Sequence, residues 1–284
     1  MATVTLSRRQ VQELLSEHGL RPRRSLGQNF VADANTVRRV ARLADVGPGT
    51  AVVEIGAGLG ALTLALAETG ATVVAVEVDP HLVPVLRQQV EPLGVRVVEG
   101  DALTLDWSAV LRPPAGAAGA TWTLVANLPY NVAVPVVLRV LDEAPAIVSM
   151  LVMVQREVGE RLAADPGTKA YGAVTVKVDY HATARVVGAV PASVFVPRPK
   201  VESVLVRLER RPAVAVDPDT VAPARLFALV RAGFGQRRKM LRRALAGLVP
   251  AEAFALAGID PEARAENLSV QEWGRLAACA PEGP

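Results

Sequence analysis

Four consecutive residues, Asn127-Leu128-Pro129-Tyr130, carry the groups in this chain best suited to chemistry. They follow the apolar run Thr123-Leu124-Val125-Ala126, which reads as a buried strand that Pro129 must end. Leu128, preceding a proline, is pushed into an extended conformation, so its carbonyl projects outward instead of continuing a helix. The turn therefore offers an amide side chain, a bare carbonyl and an aromatic face. Two acceptors, the Asn127 side-chain oxygen and the Leu128 carbonyl, match the two N–H bonds of the exocyclic amine of adenine, a poor nucleophile because its lone pair is delocalised into the ring. Holding both N–H bonds favours a pyramidal nitrogen with a localised lone pair. Tyr130 supplies a ring for the base to stack on. A strong general base is not required, since an N-alkylated adenine ammonium is acidic enough to lose its proton to water. In isolation the four residues also fit a plain strand-ending turn with a core tyrosine.

The elements that must position this turn form a recognisable series. Ala51 to Ile55 reads as a buried strand leading into Gly56-Ala-Gly58-Leu-Gly60-Ala61, then a helix from Leu62 to Glu68 and a strand from Thr72 to Val76 ending in Glu77. Strand, glycine turn, helix, strand and acid is the opening of a doubly wound sheet. The glycines let backbone approach a ligand at a helix N-terminus, and Glu77 lies where a carboxylate accepts both hydroxyls of a ribose. Gly56-x-Gly58-x-x-Ala61 fits a dinucleotide fingerprint as well as the glycine turn that holds S-adenosylmethionine. Two acids favour the second. Glu54 puts a negative charge near a cationic methionine end, where a pyrophosphate would be repelled. Asp101, after a third strand at Val95 to Glu99, is placed to accept from an adenine amine, or else simply caps a helix.

Around this centre, Ser7 to His18 reads as an amphipathic helix capped by Ser7, and Arg21 to Phe30 as a basic flap or an ordinary connecting loop. Asp33 caps a helix to about Ala44, and Asp79-Pro80 is expected to start the helix after Glu77. Ala133 to Leu141 reads as helix, Ile147 to Val154 as a fifth buried strand, and Gln155 to Ala164 as a charged helix. Alternation of Val174, Val176 and Val178 within Tyr171 to Tyr180 has the period of a strand. Arg185 to Val190 and Ser203 to Leu208 form a closing antiparallel pair. Between them, Val194 to Lys200 is a proline-stiffened loop that offers Phe195 as a second stacking surface or as a plug at the sheet edge. The Pro and Asp content near 210–219 marks a boundary, and the remainder reads as four or five short helices. Residues 113–120 read as a surface loop.

The chain has 284 residues, 51% of them hydrophobic, enough for one large domain and one small one. Cys279 is its only cysteine, which excludes an intramolecular disulfide or a thiolate zinc site and fits a reducing cytoplasm. His18, His81 and His181 lack metal-ligand spacing, so no metal is expected. The first residues have no basic region followed by an apolar one, and no apolar run reaches the length of a membrane span. Net charge is only +3 but unevenly spread: no acid lies between Asp219 and Glu252, where Arg225, Arg231, Arg237, Arg238, Lys239, Arg242 and Arg243 all fall. Arg21, Arg23 and Arg24 add a second cluster, and Arg198 and Lys200 flank the Phe195 loop. A solvated helix face interleaves both signs, so these stretches favour a phosphate backbone as partner.

Taken together, Leu26-Gly-Gln-Asn-Phe30 with its arginine-rich lead, Glu54-Ile-Gly-Ala-Gly58, Asn127-Leu-Pro-Tyr130, Phe195-Val-Pro-Arg-Pro-Lys-Val201 and Phe234-x-x-Arg-Arg-Lys239 resemble the ribosomal RNA adenine dimethyltransferases, from about Arg21 to Ser269. The resemblance is strongest to the branch acting on the small ribosomal subunit. It implies a class I methyltransferase fold, an α/β doubly wound Rossmann-like sheet of mainly parallel strands with an antiparallel edge strand, plus a small all-α C-terminal domain. The expected division is 1–212, with the flap inside 1–32, and 213–284. It implies S-adenosylmethionine as cofactor and dimethylation of two adjacent adenines in the 3′-terminal hairpin of 16S rRNA, within an assembling small subunit, by a cytoplasmic monomer. Carried across by position, cofactor contacts fall on Asn29, Val31 (in place of a more usual leucine), Gly56, Glu77, Asp101 and Asn127, beside Glu54 and Gly58 from the glycine turn. Catalysis falls on Asn127 to Tyr130 with Phe195 closing a sandwich on the base. The resemblance also assigns helix at Tyr171 to Tyr180, and it is preferred over the alternation there. Competing expectations are an enzyme methylating 23S rRNA, a non-catalytic RNA-binding assembly or transcription factor, and a nicotinamide dehydrogenase, for which no catalytic set is found.

Overall fold

The computed structural model describes residues 5–112 and 121–281, so the loop expected at 113–120 lies outside the described residues. Ser7 caps helix α1 (Arg8–Glu17) reciprocally with Gln10, and strand β1 (Phe30–Val31) and helix α2 (Ala34–Ala44), capped by Asp33, follow. Then come β2 (Ala51–Ile55), α3 (Ala61–Ala67), β3 (Thr72–Glu77), α4 (Val83–Val90), β4 (Arg96–Glu99), α5 (Trp107–Val110), β5 (Trp122–Asn127), α6 (Ala133–Glu143), β6 (Ile147–Gln155) and α7 (Arg156–Leu162). The chain continues through α8 (Ala173–His181), β7 (Ala182–Val190), β8 (Phe195–Val196) and β9 (Ser203–Arg210) to α9 (Pro223–Gly235), α10 (Leu241–Ala244), α11 (Ala251–Ala257) and α12 (Val270–Cys279).

Seven strands form one sheet in the order β4-β3-β2-β5-β6-β9-β7; β2 to β6 are mutually parallel and β9 runs antiparallel to β6. The antiparallel addition expected from the sequence is present, although β9 is interior and β7 forms the edge. Every residue of β2 is buried, as a parallel strand covered on both faces requires. The strand order reverses between β2 and β5. There the connections leave in opposite directions and open a crevice at the strands' C-terminal ends. Ile55 is in register with Ala126, so the glycine turn after β2 and Asn127 at the end of β5 emerge side by side.

Contacts divide the chain into two compact units, 1–159 with 186–209 and 160–185 with 210–284. In place of the single cut expected at 212/213, the chain crosses between the units three times, because α8 belongs to the helical unit. Tyr171, Val176 and Tyr180 are buried in one apolar cluster with Leu226, Leu241, Leu245, Phe254 and Trp273. This also explains why the valine alternation misleads. Thr175, Val176, Val178 and Tyr180 are all buried, so α8 has no wet face to mark a helical period. Gly172 N–H donates to the Thr175 hydroxyl, which donates in turn to the Arg161 carbonyl, closing the helix start.

One other local expectation is corrected. Asp79-Pro80 begins a turn, not a helix: the Asp79 carboxylate accepts from His81 N–H and its carbonyl from Leu82 and Val83, delaying α4 to Val83. Among the described residues the short helices expected in the remainder include α9 to α12, with Arg237, Arg238 and Lys239 in the turn between α9 and α10 and Leu241 and Leu245 fully buried after it.

Candidate active site

The crevice between β2 and β5 is a cavity lined by the glycine turn, the flap residues 26–31, Glu54, Glu77 and the Asn127 to Tyr130 turn. At the end of β5 the Leu128 N–H donates to the Met153 carbonyl of β6 (3.1 Å), tying the turn to the neighbouring strand. The Leu128 side chain is buried, and among the described residues nothing donates to its carbonyl. Asn127 Nδ2 donates to the Asn29 carbonyl at 3.0 Å. That bond fixes which way the amide faces: the nitrogen is committed to the flap, and the oxygen remains as acceptor. Tyr130 is half-buried, its hydroxyl 3.0 Å from Ser203 Oγ at the start of β9. Burial pushes the phenol up from its ordinary value, so the ring is neutral where it meets a ligand.

The acid end of the cavity is held by backbone. Glu77 accepts from Gly58 N–H (2.7 Å) and Asp79 N–H (2.9 Å), and burial raises its carboxyl despite these bonds. Gly58 is at φ +58, and a Cβ there would meet the Phe30 ring at 3.0 Å, so only glycine leaves backbone open beside that ring. Glu54 is 1% exposed, and among the described residues its Oε2 has no partner. Burial pushes its carboxyl up to about 8, a rise the Thr63 hydroxyl opposes and the nearby Glu77 reinforces. A buried carboxyl with an unused oxygen in a cavity is a costly feature unless a ligand cation completes it. The donor set fits S-adenosylmethionine: Glu54 for an ammonium, the glycine turn for close approach, Glu77 for vicinal hydroxyls. It does not fit a pyrophosphate, which would face two carboxyl groups.

Of the residues expected at the site, Asn29, Val31, Glu54, Gly56, Gly58, Glu77, Asn127, Leu128, Pro129 and Tyr130 come together around this cavity. Asp101 does not line it. It is exposed, and its Oδ1 caps the following turn through Leu103 N–H at 2.8 Å. Phe195 is a correction. It is 0% exposed, packed in the same apolar cluster as Phe30, Val31 and Val190, because β8 pairs with β1 and sets Phe195 opposite Val31. It seals the core in this structure, with no face open to a base.

The cations divide likewise. Arg21, Arg24, Arg198 and Lys200 are exposed, but Arg23 lies 3.4 Å from the Asp79 carboxylate. In the helical unit Arg237 is taken up by Glu266 (2.6 Å) and the Lys169 carbonyl (2.6 Å), and Arg242 pairs with Glu262 at 2.9 Å. Arg238, Lys239 and Arg243 are exposed. Sequence reasoning missed Asp79, Gln28 and Ser203. Gln28 Nε2 donates to Asp79 Oδ2 at 2.7 Å across 51 positions of chain, a separation that leaves no local signal. For Ser203 the signal was present, since it opens the strand that flanks β6.

Residues 19–280 match the family described as ribosomal RNA adenine dimethylase. A Kineococcus radiotolerans protein named ribosomal RNA small subunit methyltransferase A is 49% identical over 98% of this chain and 92% of its own. The protein of the same name from Nocardia farcinica is 47% identical over 95% and 94%. Among solved structures, the 23S rRNA methyltransferase ErmE superposes with a TM-score of 0.68 at 27% identity, covering 88% of this chain and 98% of that one. A dimethyladenosine transferase from Plasmodium falciparum gives 0.71 at 22%, over 86% and 94%, a likeness of fold.

Proposed function

This chain belongs to the ribosomal RNA adenine dimethylase family, and from that premise we propose that it is the S-adenosylmethionine-dependent enzyme that dimethylates N6 of two adjacent adenines in the 3′-terminal hairpin of 16S rRNA. Identity of 46–49% to small-subunit enzymes, against 27% to a 23S enzyme, supports the choice of RNA. The observation that carries the chemistry is the Asn127 to Asn29 hydrogen bond, which leaves Asn127 Oδ1 and the Leu128 carbonyl as paired acceptors for an amine.

When bound, the cofactor supplies an electrophilic methyl group on a sulfonium. Glu54, Gly56, Gly58 and Glu77 are the residues that would hold it, with Asn29 and Val31 from the flap. Asn127 and Leu128 orient the adenine amine and localise its lone pair, and Tyr130 stacks on the base. The adenine must leave its helical stack to reach this turn. After the first transfer one N–H is gone, and an unpaired amide oxygen costs less than an unpaired carboxylate in a buried site, which suits a neutral Asn to adding a second methyl. Arg21, Arg24, Arg198 and Lys200, with Arg238, Lys239 and Arg243 of the helical unit, supply phosphate contacts. The protein works as a monomer on the assembling subunit in the cytoplasm.

The test is transfer of tritiated methyl groups to small subunits from cells lacking this protein. Wild type labels 16S rRNA to four methyl groups per particle, and Asn127→Ala binds the particle without labelling it. Label in 23S rRNA instead, or full labelling by Asn127→Ala, rejects the reading.

A further inference from the structure

We propose that residues 23–29 form a strap across the crevice whose closure by Gln28 on Asp79 positions the Asn127 amide for catalysis. This rests on the function proposed above for Asn127. At one end of the strap, Asp79 is only 2% exposed, and its carboxylate must be satisfied by protein. Oδ1 accepts from His81 N–H at 3.0 Å, Oδ2 accepts from Gln28 Nε2 at 2.7 Å, and Arg23 stands 3.4 Å away. The same Gln28 side chain accepts from Arg23 N–H at 2.8 Å through Oε1. Its amide is therefore used at both ends, with the strap backbone pinned to the residue two places past β3.

At the other end, the next residue presents its carbonyl to Asn127. Asn29 is itself locked, its Nδ2 donating to the Gly27 carbonyl at 3.0 Å. Gly27, at φ +63, fits against the catalytic turn so closely that a Cβ would stand 2.8 Å from Asn131 Oδ1 and 3.0 Å from Pro129 Cβ. The strap thus joins the C-terminal ends of β3 and β5. Its Asp79 anchor also donates its own N–H to Glu77 Oε1 at 2.9 Å. A free asparagine amide rotates between two orientations of similar energy, and one of them points N–H groups at an amine that needs acceptors. The Asn29 carbonyl removes that wrong state, and Gln28 holds the Asn29 carbonyl in place. Gln28 is a positioning residue: it acts through Asn29 and Asn127.

The experiment follows the Asn127 side-chain amide directly, by nitrogen-15 NMR of full-length protein with the resonance identified by its loss in Asn127→Ala. Expected for Gln28→Ala are faster exchange of those two protons with water and a kcat at least ten-fold lower, with KM for the RNA changed less than three-fold. The double variant Gln28→Glu with Asp79→Asn reverses donor and acceptor, and it restores both readouts towards wild type. Unchanged Asn127 exchange in Gln28→Ala overturns the proposal, as does failure of the double variant to recover when its melting temperature matches wild type. If wild type transferred no methyl to small-subunit RNA, the function would fall while the exchange measurement still judged the strap.

Discussion

Asn127 Nδ2 and the Asn29 carbonyl, 98 positions apart in the chain, lie 3.0 Å from each other at the mouth of the β2–β5 crevice. The bond uses one Asn127 N–H and leaves the side-chain oxygen as acceptor, the polarity an amine substrate needs. Asn127→Asp removes the donor and sets a carboxylate oxygen against a carbonyl. It also leaves a charge unpaired once the substrate amine has lost an N–H. Expected is accumulation of monomethyladenine, with the second transfer slowed about 100-fold, the equivalent of about 3 kcal/mol. Mass spectrometry of digested RNA reads the ratio; dimethyladenine forming at the wild-type rate would defeat the charge argument.

Glu54 gives the ligand-free protein a pH dependence of definite sign. Its carboxyl is raised from the ordinary 4.5 to about 8 by burial. The folded state therefore holds a proton that the unfolded state has lost across that window. Stability falls as pH rises from about 5 to about 8, by up to ~1.4 kcal/mol per pH unit. Glu77, raised in the same direction, adds to the slope. Glu54→Gln flattens it in urea unfolding followed from pH 5 to 8. Since a ligand ammonium favours the ionised carboxyl, cofactor binding releases a proton in wild type and not in Glu54→Gln, measurable by calorimetry in buffers of different ionisation enthalpy.

Gly58→Ala forces a side chain into a left-handed backbone position and against the Phe30 ring. Strain of about 1–2 kcal/mol is expected for the backbone alone. Cofactor affinity falls at least ten-fold by calorimetry while the melting temperature drops by a few degrees. An unaltered dissociation constant would place the cofactor away from this turn.

Phe195→Ala separates the core from the stacking role. Loss of a fully buried phenylalanine costs about 3–5 kcal/mol and lowers the unfolding midpoint sharply. A ring that served only to stack on the target base would leave the midpoint unchanged and lower methyl transfer alone.

Among the basic residues of the helical unit, exposure decides which substitutions affect RNA. Replacing Arg238, Lys239 and Arg243 with alanine is expected to flatten the dependence of log affinity on log salt by about two to three units, since each phosphate contact contributes roughly 0.7–0.9. Arg237→Ala breaks its ties to Glu266 and Lys169 instead. It lowers the melting temperature with a smaller change in slope. Filter binding across a salt series distinguishes the two.

Much of the sheet-bearing unit was legible along the chain. Apolar runs bounded by glycine and proline placed β2, β3, β5 and β6, and caps such as Ser7 and Asp33 placed helix starts, because these signals act between near neighbours. The Asn-Leu-Pro-Tyr turn carried its chemistry in its residue types. Where burial is nearly uniform the same reasoning failed, as in α8, whose valines keep a strand's alternation inside a helix. Asp79 looked like a helix cap and is the buried anchor of a strap. The amino-acid sequence by itself determined which groups are available and in what order the elements run. Only the tertiary structure decided that Phe195 turns inward, that Arg23 and Arg237 are spent on Asp79 and Glu266, and that the Asn127 amide nitrogen is tied to the Asn29 carbonyl. Each of those outcomes depends on a partner far away in the chain, and local spacing carries no record of which distant group will satisfy a charge or an amide.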